Sequence, residues 1–186
     1  MNVSPELDRA FRDRAAAEGL LDLAYDLVDT PIGALLVAVS DHGVTRISFD
    51  PEPDREVESL ARTFGLRVLR SARAVDPPRR QLTEYFEGSR TEFDVPVDLR
   101  VEAPFRRTVM EQLARVPYGN VTTYGALAAT AGRPRAARAV GTIMNRNPVP
   151  IVLPCHRVVG STGKLVGYGG GLERKEALLR LEGFLS

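Results

Sequence analysis

The stretch TTYGALAATAGRPRAARAVGTIMNRN, residues 122–147, sets the expected fold of the C-terminal half of the chain. It predicts two short helices, over about 122–131 and about 134–147. A threonine can cap the start of the first helix, and Pro134 suits the first turn of the second. Two helices joined by a tight turn that contains glycine form the helix-turn-helix pattern.

The second of these helices is basic. It carries four arginines with small alanines between them: Arg133, Arg135, Arg138 and Arg146, with Ala136, Ala137 and Ala139. Small side chains allow a backbone to approach a groove, and arginines complement phosphate groups. The helix is thus either a nucleic-acid-binding element or a packed helix with a solvated basic edge.

Charge is divided unevenly along the 186 residues. Residues 1–100 hold 13 basic and 19 acidic side chains, a net charge of −6, whereas residues 101–186 hold 12 and 5, a net charge of +7. We therefore expect an anionic partner to bind the C-terminal half.

Composition excludes several other classes of protein. No apolar run approaches the roughly 18 residues that a membrane-spanning helix needs. The first residues are charged and lack the apolar core of a secretory signal, which predicts a cytoplasmic protein. One cysteine, Cys155, excludes an internal disulfide framework and a multi-cysteine zinc site, so no metal is expected.

Apolar periodicity outlines the remaining elements. A helix is predicted over 4–20, and alternation between residues 23 and 50 predicts a three-stranded antiparallel unit. Further helices are predicted over 54–65, 77–87, 104–116 and 172–183, with an extended run at 92–99. The change to a basic, helical composition predicts a domain boundary near 95–103.

The cysteine lies in the stretch NPVPIVLPCHRVVG, residues 147–160. The run IVL predicts a buried strand, and a lone cysteine is most often an inert core residue. However, His156 and Arg157 follow Cys155 directly, and a nearby imidazole or cation favours the nucleophilic thiolate. Adjacent residues on an extended chain point to opposite sides, so His156 would need a water or a sharp turn to reach the sulfur.

Five ordered motifs carry a resemblance to a known family: PYGNVTTYGALA, ARAVG, NPVP, PCHRVV and the terminal LEG. Together with the loop GYGGG they resemble the O6-alkylguanine-DNA alkyltransferases, also called methylated-DNA–protein-cysteine methyltransferases. The resemblance implies an α+β fold with three parts. These are an N-terminal helical extension (1–22), a ribonuclease-H-like α/β domain with a small antiparallel sheet (23–99), and a winged helix-turn-helix-like domain for DNA binding and alkyl transfer (100–186).

The resemblance also implies roles for individual residues. Cys155 would accept the alkyl group, and His156 and Glu182 would remove the thiol proton through a water molecule. From the residues alone, Glu182 is expected to be a solvated helix residue. Tyr124 would donate a proton to the purine as it leaves, and Asn147 would fix the turn before the active-site segment.

The remaining implied contacts are with DNA and with the damaged base. Arg138 would enter the duplex from the minor groove and fill the space of a flipped nucleotide. The implied DNA-binding residues are Thr123, Tyr124, Arg135, Ala136, Ala137 and Arg138. The implied pocket residues are Met144, Pro150, Val158, Tyr168, Gly169 and Gly170, with the carbonyls of Cys155 and Val158 accepting from the guanine amine.

The function that follows from this resemblance is direct reversal of DNA damage. The chain would transfer the alkyl group of O6-alkylguanine, and less readily of O4-alkylthymine, irreversibly to Cys155, without a cofactor. Its partner would be double-stranded DNA and not a membrane, and it would act as a monomer or assemble cooperatively on DNA. Two other functions stay open: a damage-recognition protein without alkyl transfer, and a cysteine hydrolase, which the adjacent placement of His156 disfavours.

Overall fold

The computed structural model describes residues 4–186. The chain divides into two compact units, and the boundary between them in the sequence falls between Asp98 and Leu99. The helices are α1 (Pro5–Ala17), α2 (Pro53–Phe64), α3 (Ala72–Phe86), α4 (Pro104–Leu113), α5 (Tyr124–Thr130), α6 (Ala137–Asn145) and α7 (Leu172–Leu181). The strands are β1 (Leu23–Val28), β2 (Leu35–Ser40), β3 (Gly43–Phe49), β4 (Val68–Arg70), β5 (Thr122–Thr123) and β6 (Val158–Val159), and one 3-10 turn covers Cys155–Arg157.

The first unit is built on a four-stranded sheet in the order β3-β2-β1-β4. The three predicted antiparallel strands are confirmed, since β1 pairs with β2 and β2 with β3 in antiparallel register. The fourth strand, which the sequence did not predict, runs parallel to β1. It contains three residues, too few for a period of two to show in the sequence.

Helix α3 begins earlier than predicted. We expected a start at Pro77, but the helix begins at Ala72, where the Ser71 hydroxyl accepts a hydrogen bond from the amide of Ala74. Pro77 and Pro78 lie inside the helix. A proline has no amide proton to donate, but burial of one face of the helix, including the fully buried Leu82, compensates for the lost hydrogen bonds.

In the second unit the predicted helix pair is confirmed as α5 and α6. The Thr123 hydroxyl caps α5 by accepting from the amide of Ala126. Helix α6 starts at Ala137 rather than near Pro134, because Pro134 lies in the turn that precedes it, where the amide of Ala136 donates to the carbonyl of Arg133. Buried residues of α4, α5, α6 and α7 form the core: Val109, Met110, Leu113, Leu127, Ala128, Val140, Met144, Leu178 and Leu179.

A short parallel pair of strands connects the helix pair to the cysteine segment. Thr122 of β5 lies opposite Val158 of β6, and Thr123 lies opposite Val159. Since α5 begins directly after β5, and β6 follows directly on the 3-10 turn, this pairing brings Tyr124 close to Cys155. Two elements separated by more than 25 residues in the chain thus meet at one place.

Candidate active site

The segment before Cys155 is a turn and not the strand that IVL predicted. An isolated bridge joins Pro150 to Leu153. Ile151 between them has φ of 75°, the left-handed region that β-branched residues rarely adopt. The side chain of Asn147 stabilises this turn, since its Nδ2 donates to the Leu153 carbonyl at 2.7 Å and its Oδ1 accepts from the Val149 amide at 3.1 Å.

Cys155 begins the 3-10 turn and is buried. Burial raises the pKa of its thiol from 9.0 to about 11, although hydrogen bonds from Asn147 and Tyr168 and the positive charge of Lys175 favour the thiolate. The resting side chain is therefore a thiol at neutral pH. It becomes a strong nucleophile only if a base removes its proton.

His156 and Glu182 form a buried pair. His156 Nε2 lies 2.8 Å from Glu182 Oε1, and neither side chain has any exposed surface. The prediction that Glu182 is solvated is wrong, because α7 packs against the 3-10 turn and turns this carboxylate inward. The expectation of an extended chain at His156 is also wrong, since the turn curls the backbone there.

The tautomer of His156 follows from this pairing. Nε2 donates to the carboxylate, which leaves Nδ1 as an acceptor. Nδ1 is buried and has no hydrogen-bond partner among the described residues. Desolvation is the main cause that lowers the pKa of His156 below its ordinary value of 6.5, while Glu182 raises it. A neutral imidazole with an unused acceptor nitrogen can take up a proton.

Arg157 belongs to the same cluster, although we did not predict it as a site residue. Its Nε and one terminal nitrogen each donate to Glu182 at 2.9 Å. Its other terminal nitrogen donates to the Val116 carbonyl at 2.6 Å. Its position directly after His156 was a signal in the sequence, but only the fold shows that it is bonded to Glu182.

Lys175 is a second residue that sequence reasoning missed. It is fully buried in α7, and its Nζ donates to the carbonyls of Val158 at 2.6 Å and Val166 at 3.0 Å. Burial lowers the pKa of this lysine from 10.5 to about 8. A compositional signal existed, because only Lys164 and Lys175 among the 25 basic residues are not arginine.

Two tyrosines flank the thiol. The hydroxyl of Tyr168 interacts with Cys155, and that of Tyr124 donates to the Val166 carbonyl at 3.4 Å. Burial, and then the charge of Cys155, raises the pKa of Tyr124 above 10, so its phenol remains a proton donor. Gly141 of α6 faces the Tyr124 ring. The structure thus brings Tyr124 and Tyr168 together around Cys155.

The glycine-rich segment 167–171 runs past the end of α6. A side chain at Gly169 would meet the Asn145 carbonyl at 2.9 Å, so the close approach requires glycine. Gly170 is buried, and its carbonyl accepts from Arg174 at 3.0 Å. Of the other predicted pocket residues, Met144, Pro150 and Val158 are buried side chains of this unit. The Val158 carbonyl already accepts from Lys175, and a carbonyl oxygen can accept a second hydrogen bond.

The predicted DNA-contact residues lie at the N-terminal cap of α5 (Thr123), in α5 and α6, and in the turn between these helices. Arg135 and Arg138 are exposed, whereas Ala136 and Ala137 are half-buried. Arg133 is exposed as well, and its guanidinium lies 4.4 Å from the centre of the Phe105 ring. These arginines form a basic surface that covers the turn before α6, where Arg133 and Arg135 lie, and the start of α6 itself, where Arg138 lies.

Within residues 4–186, no group of three or more His, Cys, Asp or Glu side chains comes close enough to hold a metal ion. No helix in that range combines the length and the apolar character that crossing a bilayer requires.

Two family models match the chain. Residues 23–99 match the ribonuclease-like domain of 6-O-methylguanine DNA methyltransferase, and residues 104–184 match the DNA-binding domain of the same family. Helix α1 lies outside both matches.

Relatives are similar over most of their length. The methylated-DNA–protein-cysteine methyltransferase of Mycolicibacterium paratuberculosis is 43% identical over 160 residues, which cover 86% of this chain and 92% of the relative. The enzyme of the same name from Methanosarcina barkeri is 40% identical over 162 residues, 85% of this chain and 96% of the relative.

Solved structures show the same similarity. The O6-methylguanine methyltransferase of Mycobacterium tuberculosis superposes with a TM-score of 0.73 at 40% identity, covering 86% of this chain and 92% of that chain. The OGT of the same organism in complex with DNA superposes with a TM-score of 0.75 at 40% identity and the same coverage.

Proposed function

The chain belongs to the methylated-DNA–protein-cysteine methyltransferase family, and from that premise we propose that it transfers the alkyl group of O6-alkylguanine in double-stranded DNA to Cys155. The transfer is irreversible, and each molecule acts once. The buried pair of His156 and Glu182 beside a buried lone thiol is the observation that supports this most directly. The pair supplies a base for a thiol that is protonated at rest.

The chemical step is a displacement at the alkyl carbon. The sulfur of Cys155 forms a bond to this carbon while the bond from carbon to guanine O6 breaks, and the electron pair of that bond stays on the guanine. The thiol proton passes through a water molecule to Nδ1 of His156, whose Nε2 remains bonded to Glu182. Tyr124 donates a hydrogen bond to the leaving purine, and its raised pKa keeps the phenol protonated for this contact.

Irreversibility follows from the product. A thioether has no leaving group that water or a second thiol could displace easily, so the cysteine is not regenerated. The raised pKa of the Cys155 thiol also fits single use, because a protein that spends itself in one reaction benefits from a thiol that is unreactive until substrate arrives.

Recognition of the base depends on main-chain carbonyls of the cysteine segment. In our proposal the carbonyls of Cys155 and Val158 accept from the exocyclic amine of guanine. Thymine has no such amine and would forgo these hydrogen bonds, each of which contributes about 0.5–1.5 kcal/mol. O4-alkylthymine is therefore repaired less readily than O6-alkylguanine.

The DNA is bound by the second unit. Exposed arginines of α6 and of the turn before it contact phosphates, and Arg138 enters from the minor groove to fill the space of the flipped base. Unstacking a base costs a few kcal/mol, least for a damaged pair, so a side chain that fills the gap makes flipping feasible. We propose that the protein binds as a monomer.

Labelling with a fluorescent benzylguanine tests the proposed function. We expect one covalent label per molecule of the full chain, located on Cys155 by mass spectrometry, and no label on Cys155→Ser. A duplex with one O6-methylguanine should likewise transfer one methyl group per protein. Multiple turnovers, or labelling that survives the serine substitution, would contradict the proposal.

A further inference from the structure

The carboxylate of Glu182 accepts hydrogen bonds from His156, Arg157 and Gly119. Oε1 accepts from His156 Nε2 at 2.8 Å and from a terminal nitrogen of Arg157 at 2.9 Å. Oε2 accepts from Arg157 Nε at 2.9 Å and from the amide of Gly119 at 3.4 Å. Arg157 thus makes a bidentate contact with both oxygens, and this two-point contact fixes the plane of the carboxylate.

The guanidinium of Arg157 is itself held in place. Its remaining terminal nitrogen donates to the Val116 carbonyl, and its central carbon lies 5.8 Å from the centre of the Tyr118 ring. The Tyr118 hydroxyl donates to the Leu181 carbonyl at 2.9 Å. The segment 116–119, Arg157 and the end of α7 therefore form one bonded cluster around Glu182.

The charges that face His156 come from three elements. The 3-10 turn contributes Cys155 and Arg157, and α7 contributes Lys175 and Glu182. The loop after α4 contributes Tyr118, which faces Arg157 and Glu182. Among these groups Glu182 carries the carboxylate. Without a compensating positive charge, this carboxylate would favour the protonated form of His156. Arg157, whose guanidinium is always charged, opposes that effect.

We propose that Arg157 is a positioning residue that fixes the Glu182 carboxylate and balances its charge, so that His156 stays neutral and can accept the proton of Cys155. The part of this inference that concerns alkyl transfer rests on the proposed function. An imidazole already protonated at rest could not take up another proton. A carboxylate that could rotate would not hold the tautomer that leaves Nδ1 available.

The protonation of His156 can be measured directly, because the sequence has only two histidines, His42 and His156. Imidazole signals in NMR spectra of the free protein, assigned with His42→Gln, give the pKa of His156. In Arg157→Gln we expect this pKa to rise by about one pH unit or more, because the carboxylate loses its compensating charge. The pH at which benzylguanine labelling reaches half its maximal rate should rise in parallel.

Two further variants separate charge from geometry. Arg157→Lys keeps a positive charge but loses the two-point contact, so the pKa of His156 should stay below 6.5 while labelling slows several-fold. Arg180→Gln removes an exposed arginine of α7 that is paired with Glu176. This variant should change neither the pKa of His156 nor the rate of benzylguanine labelling. A raised pKa in Arg157→Lys would overturn the charge balance, and labelling at the wild-type rate would overturn the positioning role.

If Arg157→Gln folds and its His156 titrates as in the wild type, the charge balance is wrong. If Arg157→Gln fails to fold, Arg157→Lys tests the proposal instead. Its His156 pKa then tests the charge balance, and its labelling rate tests the positioning role. The titration needs neither DNA nor an alkyl donor, so it is independent of the proposed function. A wild-type protein that cannot be labelled would overturn the proposed function and leave the titration result standing.

Discussion

The ammonium of Lys175 donates to the main-chain carbonyl of Val158 at 2.6 Å, three residues after Cys155. The same ammonium donates to Val166 at 3.0 Å, in the loop that leads to Tyr168. One buried cation thus links both main-chain segments that flank the thiol. Burial of a charge is costly unless hydrogen bonds satisfy it, and these two carbonyls provide them.

Lys175→Met should disrupt this link. The substitution removes a donor from the buried Val158 carbonyl, at a cost of about 1–3 kcal/mol, and one of the donors of the Val166 carbonyl; the loss is partly offset because no ammonium is buried. We expect benzylguanine labelling to slow at least tenfold and the urea midpoint of unfolding to fall. Lys164→Met is the matched control, since Lys164 is exposed. Labelling of Lys175→Met at the wild-type rate would show that the link does not position the pocket.

The thiol of Cys155 should react slowly with small electrophiles at neutral pH. Its pKa is raised to about 11, so the reactive thiolate is scarce at pH 7 and increases with pH through 9 and beyond. The rate of modification by iodoacetamide, followed by mass spectrometry, should rise about tenfold per pH unit between 7 and 9 without a plateau. In protein unfolded with urea the same rate should reach half its maximum near pH 9 and level off about one pH unit higher. A half-maximal rate near pH 9 in the folded protein would refute the raised pKa.

The raised thiol pKa also affects stability. Above pH 9.0 the unfolded chain loses the thiol proton while the folded chain keeps it until about 11. The stability that the buried thiol contributes is therefore complete below pH 9 and is lost as the pH rises toward 11. Unfolding in urea should show a smaller loss of stability between pH 9 and 11 for Cys155→Ser than for the wild type. Equal losses in the two proteins would contradict this account.

Asn147→Ala should destabilise the second unit. The variant loses the hydrogen bonds to the Leu153 carbonyl and from the Val149 amide, at a cost of about 1–3 kcal/mol. The turn holds Ile151 at a positive φ, which costs about 1–3 kcal/mol, so its loss should let Cys155 move and slow the labelling. Asn120→Ala is the control, because Asn120 is exposed and its side chain donates to the carbonyl of Tyr118, two residues earlier in the chain. A wild-type urea midpoint in Asn147→Ala would contradict the role of this side chain.

Arg138→Ala should separate reaction on DNA from reaction on a free base. The exposed Arg138 has no place in the bonded cluster around Glu182, so labelling by free benzylguanine should keep the wild-type rate. Transfer from O6-methylguanine in a duplex should slow at least tenfold, because the flipped base loses the side chain that fills its place. Equal losses with both substrates would point to a damaged pocket, and no loss on the duplex would exclude the proposed insertion.

Local patterns in the sequence predicted the parts of the fold that neighbouring residues control. The helix pair α5 and α6 follows from capping and apolar spacing, and the three antiparallel strands follow from alternation. Predictions failed where long-range contacts decide the outcome. The run IVL forms a turn in which the side chain of Asn147 binds the Leu153 carbonyl, and β4 exists because it pairs with β1, more than 40 residues earlier in the chain.

The sequence by itself determined that one cysteine, flanked by proline, histidine and arginine, lies in a basic unit with a helix-turn-helix, and its motifs identified the family. Only the tertiary structure decided that Glu182 is buried and bonded to both His156 and Arg157, and that Lys175 is buried near Cys155. Glu182 lies 26 residues from His156 along the chain, and its charge matters because packing removes it from water. Burial and distance between remote segments set protonation, and neither quantity is encoded in a local pattern.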